Sequence, residues 1–304
     1  MKHNLKDWVV ATRYWALPVS TMPVVATFAY LFSRDLLPAG PMPYVCFVLS
    51  LVGVILLHSA GNVLSDYYDY KSGVDNENAF AVPNLVFHHF EPEEYKRFSL
   101  LLFAAGILVG LGITLLSGPG LLIVGGIGVL LTALYSFLKF RALGDLDIFI
   151  IFGVLTVLGA GYAMTGSFQP DALILSVPLG IITVSVLHAN NTYDIPSDGA
   201  AGIKTFAMLL GGKVSSILYC CYMATPFLFV ILAVLFGALH PLALLCLPAA
   251  IPAWKNLRQA ATYDKNGLEA MRGLDQATAK LLRLKRPLLS APWKYHLVHW
   301  LKPE

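Results

Sequence analysis

Charge is what this 304-residue chain has least of: 13% of its residues are Asp, Glu, Lys or Arg, where an average soluble domain has about 25%. With 57% hydrophobic residues and a mean hydropathy of +0.68, the deficit excludes an ordinary soluble protein and indicates a multi-pass protein of a lipid bilayer. A net charge of +3, without a basic block before the C-terminal region, excludes nucleic acid as a partner. Cysteine is scarce too. Cys46, Cys220, Cys221 and Cys246 all lie in apolar runs with no C-x-x-C spacing, which excludes a disulfide framework and a zinc site and leaves packing or lipid contact. The first apolar run, Trp15 to Phe32, is longer than a signal-peptide core and lacks a small-residue cleavage site, so it is expected to stay as a membrane helix.

What the chain has in abundance is apolar length. A spanning helix needs about 20 apolar residues, and eight stretches supply them, at about 14–33, 41–61, 98–116, 119–138, 146–166, 171–190, 214–236 and 239–254. The segment 279–301 could make a ninth by length, but Lys280, Arg283, Lys285, Arg286 and Lys294 interrupt it, which suits an interfacial helix better. The expected fold is therefore an all-α membrane bundle of eight to nine transmembrane helices, a single membrane domain over 1–304. All of the 21 Lys and Arg except Arg34 fall on one side of this model. By the positive-inside rule that side is cytoplasmic. It carries the N-terminus, the connections at about 62–97, 139–145 and 190–213, and the C-terminal region 255–304. For localisation the expectation is the cytoplasmic membrane of a bacterium.

Acidic residues are few, so their clustering carries information. At about 100° per residue on a helix, Asn62, Asp66 and Asp69 fall within one narrow stripe, at about 0°, 40° and 340°. Asn190, Asp194 and Asp198, at i, i+4 and i+8, form a second. Both stripes lie at the cytoplasmic ends of helices that run in the same direction, so they can face one another across one cavity, with Asp75 just beyond the first. Facing carboxylates repel unless a cation lies between them. Hard oxygen ligands suit Mg²⁺, which is commonly held by one or two carboxylates plus substrate phosphates; a diphosphate is the natural bridge. Lys139, Arg141 and Lys204 on neighbouring cytoplasmic connections can supply further cations to its oxygens. Taken singly, each of these aspartates is also explained as a helix cap or a solvated loop residue. Asp145 and Asp147 open the fifth helix, where negative charge suits the macrodipole, and capping is the expectation for both. His58 and His188 are expected to pack, His88, His89, Glu93 and Glu94 to be solvated, and Tyr135 to be a core or interface aromatic.

At these residues the chain resembles the UbiA superfamily of intramembrane aromatic prenyltransferases. The run Gly61-Asn62-Val-Leu-Ser65-Asp66-Tyr-Tyr-Asp69, then Gly73-Val-Asp75, is similar to that family's first Asp motif. His188-Ala-Asn190-Asn191-Thr-Tyr193-Asp194-Ile-Pro-Ser-Asp198, then Gly202-Ile-Lys204-Thr205, is similar to its second. Leu143-Gly-Asp145-Leu, Leu158-Gly-Ala-Gly-Tyr-Ala-Met-Thr-Gly166 and Leu274-Asp-Gln-Ala-Thr-Ala-Lys280 further resemble the 1,4-dihydroxy-2-naphthoate polyprenyltransferases of menaquinone synthesis and their animal relatives. The resemblance, which runs from about Arg13 to Lys280, implies helices around a central cavity and Mg²⁺-dependent transfer of a polyprenyl chain from its diphosphate to an aromatic acceptor. It implies metal and catalytic roles for Asn62, Asp66, Asp69, Asp194 and Asp198. Substrate contacts are implied at Asp75, Tyr135, Lys139, Asn190, Asn191 and Lys204. Ser65 stands where the branch often has Asn, Tyr193 and Gly199 where it usually has Arg, and the 80–86 loop lacks a basic residue.

Two other functions fit part of the pattern. A secondary transporter fits the 128-residue spacing of Asn62 and Asn190 and the recurrence of Leu-His at 57–58 and 187–188, because transporters are often built from repeats. A catalytically silent, lipid-binding scaffold fits the missing basic residues. The topology gives the first test: tags at Gly118 or Gly237 should report the outer side, and tags at Asn78, Gly144 or Asp264 the cytoplasmic side. Accessibility labelling in intact cells checks this, and Asn78 and Gly237 on one side would break the model.

Overall fold

A segment in lipid has no water to satisfy its main chain, so apolar runs of this length close their hydrogen bonds internally as helices. The computed structural model of the protein describes residues 3–75 and 83–282. Among them, seven helices are long and apolar enough to cross a membrane: α1 (Tyr14–Ser33), α2 (Met42–Lys71), α3 (Pro92–Ser117), α4 (Leu121–Lys139), α5 (Gly144–Thr165), α6 (Pro170–Tyr193) and α7 (Gly212–Leu235). The expected eighth span is divided. A 3₁₀ stretch, Pro241–Ala249, runs into α8 (Ala250–Ala260), with Pro248 withholding an N–H at the junction. Of the doubtful ninth segment, Lys280–Leu282 is a 3₁₀ turn following α9 (Leu274–Ala279). The rest of it, like Asn78, lies outside the described residues.

The bundle is turned inside out relative to a soluble domain. Leu115 and Phe236 are 88% and 84% exposed, whereas Asp66 and Asp198 are each 2% exposed. α2 packs along α3, and α6 along α7. The two pairs are joined through α5, whose stretch Phe149–Leu155 is π-helical. There the main-chain oxygen of Ile151 accepts from Thr156 Oγ1 at 2.8 Å, and that of Gly153 from Ser176 Oγ on α6 at 2.7 Å. Side chains thus satisfy carbonyls that the wider turn leaves over. Gly153 and Gly180 let these backbones touch: a Cβ at Gly153 would stand 3.0 Å from the Ser176 oxygen and 3.1 Å from Gly180 Cα. Close approach of small residues is how helices bind one another where lipid removes the hydrophobic driving force.

Each end of the bundle is tied. At the end away from the aspartates Arg34 donates to the Gly237 and Ala238 oxygens at 3.2 and 2.7 Å and so closes the turn after α7. At the aspartate end a short helix, Leu5–Ala11, packs through Trp8 and Ala11 against Val63, Tyr67, Leu85, Phe90 and Tyr95. α8 and α9 pack through Ala253, Ala260 and Leu274 against Ala189, Tyr219 and Met223 of α6 and α7.

The expected stripe on α2 lies within the helix, not beyond it. α2 continues ten residues past the expected end at 61 because its polar face turns inward to partners. Gly153→Val should overpack the α5–α6 contact and cost about 1–3 kcal/mol. Gly126→Ala, whose added methyl meets nothing within 4 Å, should be neutral or slightly stabilising. Thermal unfolding in detergent measures both.

Candidate active site

Three successive residues of the α2 stripe meet three different partners. Asn62 Nδ2 donates to the Thr12 main-chain oxygen at 3.1 Å. Asp66 is ion-paired with Arg13. Asp69 takes Lys139 Nζ from the end of α4 at 3.2 Å and Ser65 Oγ from its own helix at 3.3 Å. Arg13 sits in the left-handed region, with φ at 52°, a conformation that costs a non-glycine residue of order 1–3 kcal/mol. That turn carries the chain from the Leu5–Ala11 helix into α1 and delivers the guanidinium to Asp66. Ser65, in place of the expected Asn, thus braces Asp69.

The second stripe is only partly regular. α6 stops at Tyr193, Asp194 leaves helical geometry, and a new helix, Ile195–Ala200, starts with Pro196 in its first turn. Proline at 196 ends the register that i, i+4, i+8 spacing assumed. Even so, the Asp194 and Asp198 N–H groups donate to the main-chain oxygens of Asn190 and Asp194, at 2.9 and 2.8 Å, and both carboxylates come within electrostatic reach of Lys139 and Asp69. Asn190 is exposed and donates to Asp194 Oδ2 at 2.7 Å, while Asn191 is the buried member, its Oδ1 without a partner.

The electrostatics join the stripes. Burial pushes the Asp75 carboxyl up to about 6; Asp69 and Asp194 push the same way, and Arg13 and Lys139 oppose them. Asp75 therefore feels both motifs at once. Burial also pushes Asp198 up to about 7 and Asp194 to about 6, with Lys139 the leading opposing charge at each. For Arg13, burial works against the charge, and Asp66, Asp75 and Asp69 more than offset it. The donor set that remains unsatisfied is mixed in sign: Arg13 Nε, Asp66 Oδ2, Asp198 Oδ2 and Asn191 Oδ1 are all buried without a hydrogen-bond partner. Among the described residues no three carboxylates or imidazoles converge into a self-sufficient metal site. Asp66 and Asp198 instead offer hard oxygen half-sites of the kind Mg²⁺ uses when phosphate oxygens complete its shell, and Arg13 Nε is left for an anion.

Below this charged end lies an apolar cavity of about 150 Å³, lined by residues such as Val54, Leu57, Ile113, Leu121, Ile151 and Phe152. His58, expected to pack, forms part of its wall, with Nδ1 3.0 Å from Ser20 Oγ and its ring edge-on to Phe152. Tyr135 stands between Lys139, one turn above it on α4, and Thr132 on the cavity wall.

Several expectations are corrected. Lys204 and Arg141 do not join the cluster. Their main chains pair to hold two connections together, both side chains are exposed, and Arg141 stacks 3.5 Å over Phe137. Asp145 and Asp147, expected as caps, do stand in the first turn of α5, but that turn has no side-chain cap. Asp145 Oδ2 lies 2.7 Å from His188 Nδ1, both buried, so His188 is paired and not merely packed. Asn84, in the neutral loop, is buried and donates to the Tyr95 hydroxyl at 2.9 Å. Tyr193 packs in the α6–α7 cluster with Arg272 5.9 Å from its ring. Arg13 was overlooked as a site residue; its one sequence signal was its place as the last basic residue before the first span.

The family model described as the UbiA prenyltransferase family matches residues 18–272. The UbiA prenyltransferase domain-containing protein 1 of Xenopus tropicalis is 33% identical over 288 residues, covering 92% of this chain and 79% of that protein. Its counterpart in Danio rerio is 34% identical over 290 residues, covering 90% and 80%. Among solved structures, the apo UbiA homolog from Aeropyrum pernix K1 superposes with a TM-score of 0.66 at 16% identity, over 92% of this chain and 96% of that one. A UbiA homolog from Archaeoglobus fulgidus bound to DMAPP and Mg²⁺ gives 0.61 at 12% identity, over 91% and 97%.

The raised carboxyl pKa values fix the sign of a pH effect. The folded state holds protons on Asp75, Asp194 and Asp198 more tightly than an unfolded chain whose aspartates titrate near 3.8. Their contribution to the stability of the metal-free protein therefore falls as pH rises from about 4 to about 7, and does not recover above that. The unfolding temperature without Mg²⁺ should drop between pH 5 and pH 8, and Asp198→Asn should remove a measurable part of the drop. Differential scanning fluorimetry in detergent reads the slope.

Proposed function

Because the chain belongs to the UbiA prenyltransferase family, we propose that it transfers a polyprenyl chain from its diphosphate to 1,4-dihydroxy-2-naphthoate, with Mg²⁺, to give a quinone precursor. The observation that carries this reading is the mixed set of buried, unpartnered groups: carboxylate oxygens that need a cation beside a guanidinium nitrogen that needs an anion. A Mg²⁺–diphosphate satisfies both at once. A transported ion of one sign does not, which argues against a transporter. The aromatic acceptor rests on the branch resemblance, and the curated relatives are animal proteins of the domain-containing type.

Ionisation of the allylic carbon–oxygen bond builds negative charge on the departing diphosphate, and preorganised charge in a water-poor site is the effective means of stabilising it. Asn62, Asp66 and Asp69 on one side, and Asp194 and Asp198 on the other, are the residues assigned to hold Mg²⁺. Bound there, the ion supplies the positive charge that makes diphosphate a good leaving group. Arg13 binds the diphosphate through its free Nε, and Lys139 adds a buried cation. Both ammonium and guanidinium already lie against carboxylates, so they are held in place before substrate arrives. Asp75, between the motifs, and Asn191 orient the headgroup. Asn190 steadies Asp194, and Lys204 stays at the rim. The isoprenoid tail lies in the apolar cavity, whose walls keep water from the allylic cation, with the Tyr135 ring as a π-face for that cation at the junction.

The same reading puts the N-terminus and both aspartate motifs on the cytoplasmic side. The positive-inside rule supports that side, and the reading takes the membrane to be a bacterial cytoplasmic one. Radiolabelled farnesyl diphosphate with 1,4-dihydroxy-2-naphthoate and other hydroxy-arenes, with and without Mg²⁺, tests the reaction. Asp66→Ala and Asp194→Ala should each lower product formation by at least about 10²-fold while the proteins elute as folded monodisperse species in detergent. Equal rates for wild type and Asp66→Ala would overturn the assignment.

A further inference from the structure

Asp147 is 3% exposed, and among the described residues it is the only carboxylate with both oxygens buried and without a hydrogen-bond partner. Its own N–H donates to the Leu143 oxygen at 2.9 Å, and no side chain caps that turn. Neither capping nor an ion pair accounts for it. A buried polar group without a partner calls for an explanation, and a ligand that brings the partner is one.

The surroundings of Asp147 say which ligand. Three residues earlier, Gly144 lies between α4 and α6, where an added Cβ would be 3.2 Å from Lys139 Cα and 3.5 Å from Leu187 Cδ2. The i, i+3 relation puts Asp147 on the same face, and it comes within electrostatic reach of the Tyr135 phenol on α4. One and two turns onward on that face, Ile151 and Leu155 line the apolar cavity. Asp147 thus sits at the level where the charged end gives way to the apolar cavity. A prenyl diphosphate whose headgroup is at Lys139 and whose tail is in the cavity has its reacting carbon at this level. The acceptor ring has to be there too.

We infer that Asp147 binds the aromatic acceptor, accepting a hydrogen bond from a ring hydroxyl and taking its proton as the ring attacks; this rests on the prenyl-transfer reading above. In the step, the allylic carbon–oxygen bond breaks and its electron pair leaves with the diphosphate. The hydrogen-bearing ring carbon beside the hydroxyl forms the new carbon–carbon bond, and the hydroxyl proton passes to Asp147. The ring hydrogen at the substituted carbon then moves to the oxygen to restore the aromatic hydroxyl, and Asp147 releases its proton to the departing diphosphate. In sum a ring hydrogen is exchanged for a prenyl group, and diphosphate leaves carrying the proton.

The test compares full-length wild type, Asp147→Asn and Asp147→Ala in nanodiscs with Mg²⁺ and farnesyl diphosphate, using 1,4-dihydroxy-2-naphthoate and its 1-O- and 4-O-methyl ethers as acceptors. Asp147→Asn should lower kcat by about 10²-fold or more, the usual yield of a positioned acid or base, and raise the acceptor KM. The Kd for farnesyl thiolodiphosphate should stay within about twofold, which also reports that the variant is folded. Methylating the hydroxyl that Asp147 holds should cost wild type at least about tenfold and cost Asp147→Ala little more. If the alanine variant no longer binds the thiolodiphosphate, the near-isosteric asparagine variant decides alone. A wild-type kcat and acceptor KM in Asp147→Asn would overturn the inference and leave the transferase reading standing. No product from wild type with any hydroxy-arene would overturn both.

Discussion

Five aspartates share the inner end of this bundle, and their mutual repulsion where water is scarce constrains everything built around them. An unpaired buried carboxylate is costly enough that a protein ordinarily pairs it or protonates it. Here Arg13 neutralises Asp66 and Lys139 neutralises Asp69, while Asp75, Asp194 and Asp198 are left with raised pKa values. Two cations against five carboxylates is a deliberate deficit that a bound cation removes. The left-handed turn at Arg13, the Asn62 bond to Thr12 and the N-terminal helix on its aromatic cluster all maintain the first of those pairings.

The charged end works only because it stands above an apolar one. α2, α4 and α5 each carry a polar or charged residue at the aspartate end and, a turn or two deeper, residues that line the cavity: Asn62 above His58, Lys139 and Tyr135 above Thr132, Asp147 above Ile151. Three helices therefore change character at the same depth. The π-helical stretch of α5 and the Gly153–Gly180 contact lie along this level, where small residues bring α6 close enough to carry the second motif to the first. Asp145 and His188 then link α5 to α6 near the same height.

How much of this was legible in the chain varies with the kind of signal. The first stripe was readable because a helix imposes one periodicity on a short run, and α2 keeps that periodicity through Lys71. The second stripe assumes too regular a geometry, since the helix stops at Tyr193 and a new one opens at Ile195 with Pro196 in its first turn. Lys139 and Lys204 look alike in the sequence, two lysines at the same end of the bundle, yet only Lys139 reaches a carboxylate of the motifs. The difference is that Lys139 closes a helix aimed at Asp69, while Lys204 uses its main chain to pair with Arg141 and turns its side chain outward. Arg13 and Asp147 lay outside any motif, because their importance comes from partners, or the lack of them, dozens of residues away.

The sequence by itself determined that this is a helical membrane protein, that its positive charge gathers at one end of the bundle, and that two Asn/Asp motifs sit at the ends of helices running the same way. Each of these follows from composition, length or a local repeat, quantities that a chain carries whatever its tertiary contacts. The tertiary structure decided which cations neutralise which carboxylates, which buried oxygens remain without partners, and where the charged end meets the apolar cavity. Those depend on distances between segments 50 to 130 residues apart, and electrostatic and hydrogen-bond energies fall too steeply with distance for any pattern along the chain to encode them.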